Sequence, residues 1–116
     1  IEESRGCYGH CNFCASNSQY HGKIKVRNWE ILEKELENLI EHFGVSRTIP
    51  VLASTFGSNV KNTIKLLGIM QSLNVKWTTE TRVDTNWNQF IHKAAQSGLT
   101  SLHASPESAS PEILLG

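Results

Sequence analysis

A single α/β domain with parallel strands is predicted from three observations. Stretches of helical and strand periodicity alternate along the chain, each of the first three amphipathic stretches stops at a glycine or asparagine, and the runs between them are short and rich in β-branched residues. Alternation of this kind implies parallel strands joined by helical crossovers, in a doubly wound sheet or a (β/α) barrel. In either, functional side chains gather where the strands end.

The elements follow in order. "IEESR" reads as the tail of a first strand leading into "GCYGHCNFC". From Asn28, the residues Trp29, Leu32, Leu36, Leu39/Ile40 and Phe43 recur at three and four, with Glu33, Lys34, Glu37 and Glu41 between them and Gly44 as the stop. "VSRTIPVLASTF" is a buried strand, and Pro50 predicts irregularity near its start. Ser58/Asn59 can cap a helix carrying Val60, Ile64, Leu67, Met70 or Ile69, and Leu73, closed by Asn74. "VKWTTETRV" is the next strand. Asp84 to Asn86 can cap a helix whose buried stripe is Trp87, Phe90, Ile91, Ala94 and Ala95, ended by Gly98 before the strand "LTSLHAS". Ser110-Pro111-Glu112 then opens a further helix, with serine as cap, proline at the first helical position and a carboxylate in the first turn.

The bulk numbers exclude several classes. With 116 residues the chain is one domain at most, and Lys+Arg 11 against Asp+Glu 11 leaves no basic excess for nucleic acid. No apolar run approaches a membrane span and "IEESRG" lacks the features of a signal peptide, so a cytoplasmic location is expected. Ile1 at the start and a helix scarcely begun at "SPEILLG" lead to the expectation of a longer protein.

All three cysteines, Cys7, Cys11 and Cys14, lie in "CYGHCNFC". In a reducing compartment, thiols clustered in this way hold metal more often than they form a disulfide framework. An iron–sulfur cube normally takes one thiolate per iron, so three cysteines would leave one iron open to a small ligand. Gly6 and Gly9 free the backbone to wrap such a group. A zinc loop completed by His10 or His21, or a set of inert thiols, is the competing reading.

The stretch "SRGCYGHCNFC" resembles the C-x-x-x-C-x-aromatic-C signature of the radical S-adenosylmethionine enzymes. The similarity extends to "YHGKIKVRNWEILEKELENLIEHFGV", to Thr81-Arg82-Val83-Asp84 and to "ASPESASPEIL", which are most like the radical domain of cobalamin-binding members. The resemblance implies that Cys7, Cys11 and Cys14 hold a 4Fe-4S cluster whose open iron chelates S-adenosylmethionine, with Phe13 beside the adenine. It also implies that Ser54, Thr55, Arg82, Glu107 and Ser108 contribute to the cofactor site. The implied fold is a partial (β/α) barrel, truncated here to about four strand–helix units, with residues 1–116 forming the N-terminal portion of a radical domain incomplete at its C-terminus.

The implied activity is reductive cleavage of S-adenosylmethionine to a 5′-deoxyadenosyl radical, serving methyl transfer in many cobalamin-dependent relatives. Any cobalamin would be held by a domain outside this chain. A reductant such as flavodoxin or ferredoxin is implied, along with a small-molecule or peptide substrate that the sequence does not specify. The catalytic residues are likewise unspecified, and the fragment alone is expected to be inactive. Two departures stand out: Ala53-Ser54 where relatives often carry two acidic residues before Thr55-Phe56, and Pro106 and Ala109 flanking Glu107-Ser108. They keep a second class in view, a non-catalytic iron–sulfur or zinc-binding module built on a degenerate barrel.

Outside this set the sequence favours structural roles. Tyr8 and His10 read as loop residues, and His42, His92 and His103 as solvent or packing residues. Trp29, Trp77 and Trp87 read as packing residues. Glu107, taken as lying at a buried strand end, calls for a partner such as Arg82, and Arg82 and Asp84 share a strand face.

Overall fold

The computed structural model describes residues 1–115; Gly116, the last residue of both the expected terminal helix and the expected domain, lies outside them. The elements are β1 (Glu2–Arg5), α1 (Ala15–Tyr20), β2 (Lys25–Val26), α2 (Trp29–Phe43), β3 (Thr48–Ala53), α3 (Val60–Ser72) and β4 (Lys76–Arg82). They continue through a 3-10 turn (Trp87–Gln89), α4 (Ile91–Gln96), β5 (Leu99–Ser105) and α5 (Pro111–Leu115). The strands form a five-stranded sheet in the order β2-β1-β3-β4-β5. β1, β3, β4 and β5 are mutually parallel and β2 is antiparallel to β1. The parallel strands are neighbours in chain order, with no reversal of winding among the described residues.

Local chemistry accounts for most boundaries. The Asn28 side chain accepts from the amides of Glu30 and Ile31 at 2.9 and 3.2 Å, which starts α2, and Gly44 at φ 75 ends it. Asn59 accepts from the Asn62 amide to start α3, and Asn74 at φ 52 turns the chain out of it. Pro50 does not disturb pairing with β4, since the register from Thr48↔Lys76 to Val51↔Thr79 is unbroken. The irregularity falls on the other side of β3, as a bulge between Glu2 and Ser4.

The core lies between the sheet and the helices on one of its faces. Leu36 of α2, Leu66, Leu67 and Met70 of α3, and Phe90 and Ala94 beside and within α4 pack against Val51, Phe56, Val75 and Trp77. Full burial of each large apolar side chain contributes roughly 1.5–3 kcal/mol. Trp77 donates its indole N–H toward the Ser97 carbonyl and hydroxyl at 3.0 and 3.1 Å. Phe56 sits 5.3 Å from Trp77 and 6.0 Å from Trp87, so Trp77 and Trp87 belong to one aromatic cluster.

Three expectations are corrected. The helix after β4 is divided: Phe90 adopts φ −147, ψ 5, outside the helical region, so a 3-10 turn precedes α4, and Ile91 and Ala95 face solvent while Phe90 and Ala94 are buried. The Asp84 carboxylate pairs with Arg82 and starts no helix. Lastly, the segment between the cysteines and α2 contains α1 and β2. His21 (φ 50) and Gly22 (φ 73) end α1 and send the chain back along β1, pairing Ser4↔Val26 and Arg5↔Lys25. That pairing closes the cysteine loop at its base.

Among the described residues, no helix is long and apolar enough to cross a membrane.

Candidate functional site

The cysteine loop lies over the carboxyl ends of β1, β3, β4 and β5, beside a pocket of about 480 Å³. Cys7, Cys11 and Cys14 all line it, together with Phe13, Ser54, Arg82 and Glu107 from the expected set and Glu80, His103 and Ser105 from the sheet. Alternation along β4 explains the sheet residues. Trp77 and Thr79 are buried on the helix side, so Glu80 and Arg82 fall on the other face, and the register Glu80↔His103 and Arg82↔Ser105 brings their partners beside them. His103, read from sequence as a solvent or packing residue, therefore lines the pocket, and its Nε2 lies 3.0 Å from the Ser101 hydroxyl.

Each thiol has a defined environment. The Cys7 sulfur is approached by the Thr55 hydroxyl at 2.9 Å and the Gly9 amide at 3.3 Å. Thr55 is only 1% exposed, and its one hydroxyl proton can go to Cys7 Sγ or to the Ser54 carbonyl at 2.8 Å. A Cys7 thiolate would draw it to sulfur. The Ser54 hydroxyl accepts from the Gly6 amide at 3.3 Å, so Ser54 and Thr55 both hold the loop. Cys11 Sγ receives Arg82 Nη1 at 3.4 Å, and the turn is completed by the Cys14 amide on the Cys11 carbonyl at 3.1 Å. The Ser16 backbone N–H, and then its hydroxyl, hold the Cys14 thiol below its ordinary pKa.

Arg82 pairs through Nε and Nη2 with the two Asp84 oxygens at 2.8 and 2.9 Å. This bond holds Asp84 below the usual carboxylate range and raises Arg82 above its own. The expected alternatives for Arg82 thus resolve to Asp84, not Glu107. Glu107 is exposed and lies beyond the end of β5 with φ 65, a left-handed backbone unusual outside glycine, which corrects its placement on a buried strand end. Ser108 accepts the Ser110 amide at 3.0 Å and so shapes the turn into α5. Phe13 is 69% exposed at the pocket wall. His10 packs near Gly22 in the loop's return.

The donor set suits a thiolate-held group: three sulfurs on one loop face one pocket, and N–H or O–H donors from Gly9, Thr55, Arg82 and Ser16 act on them. Among the described residues no group of three or more His, Cys, Asp or Glu stands in position to hold a single metal ion. A cluster with one thiolate per iron does not need its sulfurs to converge on one point.

Fold and site together define an α/β protein with a thiol-lined pocket at the carboxyl ends of its parallel strands. Over 117 aligned residues, covering 98% of this chain, it is 36% identical to a protein of Pyrococcus horikoshii named an uncharacterized methyltransferase. The chain spans about 25% of that relative's length. No protein-family model matches the chain.

Proposed function

We propose that this chain is the cluster-bearing part of a radical S-adenosylmethionine enzyme that serves methyl transfer. The observation that carries the proposal is the gathering of Cys7, Cys11 and Cys14 on one loop around one pocket, with hydrogen-bond donors on the sulfurs of Cys7 and Cys11. Two further observations support it. The parallel strands are wound in chain order without reversal, as successive units of a (β/α) barrel are. The relative from Pyrococcus horikoshii bears the name of a methyltransferase.

When bound, a 4Fe-4S cluster would supply the electron that cleaves S-adenosylmethionine, drawn from a small electron-carrier protein. The three cysteines would hold it, leaving one iron for the cofactor. Thr55 and the Gly9 amide would fix the Cys7 sulfur, and Phe13 offers an exposed ring for the adenine. Glu80 and His103, on the same wall, present an acceptor and an imidazole to whatever shares the pocket.

The test is anaerobic reconstitution of the full chain with iron and sulfide, followed by reduction and electron paramagnetic resonance with and without S-adenosylmethionine. A 4Fe-4S signal that changes on adding the cofactor, and is lost in Cys7→Ala, Cys11→Ala and Cys14→Ala, is expected. Stoichiometric zinc in place of iron, or a cluster indifferent to the cofactor, would refute the reading.

A further inference from the structure

Three residues of the cysteine loop meet one side chain from the far end of β4. Arg82 reaches Cys11 Sγ at 3.4 Å, its guanidinium carbon lies 5.2 Å from the Tyr8 ring centroid, and a Cβ added to Gly9 would stand 2.5 Å from its Nη1. The guanidinium is held in place by two bonds to Asp84, whose Oδ1 also accepts the Tyr8 hydroxyl at 2.9 Å. Tyr8 therefore closes a ring: its hydroxyl binds the carboxylate that orients Arg82, and its π face covers the cation.

We propose that Tyr8, Asp84 and Arg82 form a latch that clamps the cysteine loop to the end of β4, and that the latched Arg82 is a positioning residue tuning the potential of the centre Cys11 helps to hold. The second half rests on the proposed function above, and the first does not.

The chemistry follows from the guanidinium's shape. A bidentate carboxylate fixes the plane of the fork, so the remaining nitrogen, Nη1, has a set direction, and that direction is toward sulfur. Arg82 and Asp84 have side chains 30% and 50% exposed, and ion pairs that open to water add little to stability. Their use is orientation. A fixed positive charge and an N–H directed at a ligating sulfur both favour the reduced, more negative form of an iron–sulfur centre, since its potential responds to local charge and to hydrogen bonds on sulfur. Lysine could supply the charge but not the fork. Tyrosine to phenylalanine keeps the ring and removes only the bond that completes the latch.

The experiment uses the full chain and two readouts. Amide hydrogen exchange of residues 7–14 in the metal-free protein reads the latch alone, with the α3 amides as an internal check on folding. Tyr8→Phe and Arg82→Gln are expected to speed loop exchange about tenfold and leave α3 unchanged. The midpoint potential of the reconstituted protein reads the tuning. Arg82→Gln should lower the reduced-to-oxidised ratio at fixed poise about tenfold, close to a 59 mV shift to more negative potential, and Arg82→Lys should recover much of that shift without recovering loop protection. Unchanged loop exchange in Tyr8→Phe would overturn the latch, and a wild-type potential in Arg82→Gln would overturn the tuning. A wild-type protein that takes up no iron and sulfide would end the functional reading and the tuning together, while the exchange result would still decide the latch.

Discussion

Gly6→Ala offers a direct probe of how the cysteine loop is held. Gly6 joins β1 to Cys7 with φ +98, and a Cβ built there would lie 2.0 Å from the Lys23 carbonyl oxygen and 3.1 Å from its carbon. The obstacle is backbone, pinned by the Lys23 amide on Tyr20 and by the Arg5↔Lys25 pair, so no side-chain rotation relieves it. Left-handed backbone costs an L-residue about 1–2 kcal/mol. Crowding in a packed site adds about 1–3 kcal/mol. The expected loss is therefore about 2–5 kcal/mol, set against a total domain stability of about 5–15 kcal/mol.

Three controls separate the contributions. Gly44 has φ +75, ψ 162 and nothing within 4 Å of an added Cβ, so Gly44→Ala should cost only the backbone strain, about 1–3 kcal/mol. Gly9→Ala meets the Arg82 guanidinium that Asp84 holds in place and has no positive φ to strain, so it should cost only the crowding, about 1–3 kcal/mol. Gly68, inside α3 with open space around it, should gain about 0.5–1 kcal/mol as alanine. Urea unfolding at equilibrium gives the differences from the midpoints at constant slope, and iron uptake under reconstitution reports the loop. If Gly6→Ala matched Gly44→Ala in both readouts, the close approach of Gly6 to Lys23 would not be holding the loop.

Thr55→Val keeps the shape of a fully buried side chain and removes the hydroxyl shared by Cys7 Sγ and the Ser54 carbonyl; a loss of about 1–3 kcal/mol by urea unfolding is expected. Glu3 is 5% exposed, and burial pushes its carboxyl above the ordinary 4.5, against a smaller opposing effect of the Ser4 hydroxyl that bonds to it. The folded state then binds the proton more tightly than the unfolded chain, so this contribution is complete below about pH 4.5 and is lost as pH rises through the folded pKa. Glu3→Gln should accordingly be more stable than the wild type at pH 7 and lose that advantage in acid, as thermal unfolding across pH would show. Asn28→Ala removes the acceptor for the Glu30 and Ile31 amides and should cost about 1 kcal/mol, read as a lower urea midpoint.

The parts of the chain legible in advance were those with a local signal. The Trp29–Phe43 helix, the strands around Val51 and Trp77, and Leu99–Ser105 follow from periodicity and from Gly44, Asn74 and Gly98, whose stops act within a turn of the residues they end. Gly98 shows the connection well: its φ of +91 and its approach to the Val75 carbonyl both require glycine. α1 was not legible because "ASNSQY" carries no apolar stripe, whereas the alternation in "KIKV" is a local signal for β2. The break at Phe90 was hidden for a different reason. Its ring packs 4.8 Å from Trp87 inside the core, and that contact overrides the helical period of its neighbours.

For the candidate site, the sequence by itself determined the chemistry: three thiols on a glycine-bearing loop placed after a strand. Only the tertiary structure decided their company. Arg82 reaches Cys11 across 71 positions, Tyr8 reaches Asp84 across 76, and Thr55 reaches Cys7 across 48. His103 lies on the face opposite Leu102 and Ala104, and its place beside Glu80 follows from the strand register and not from its own pattern. Periodicity and caps are properties of neighbouring residues, readable along the chain, whereas register and the meeting of strand ends are set by which faces are buried against the helices, and that exists only once the sheet has formed.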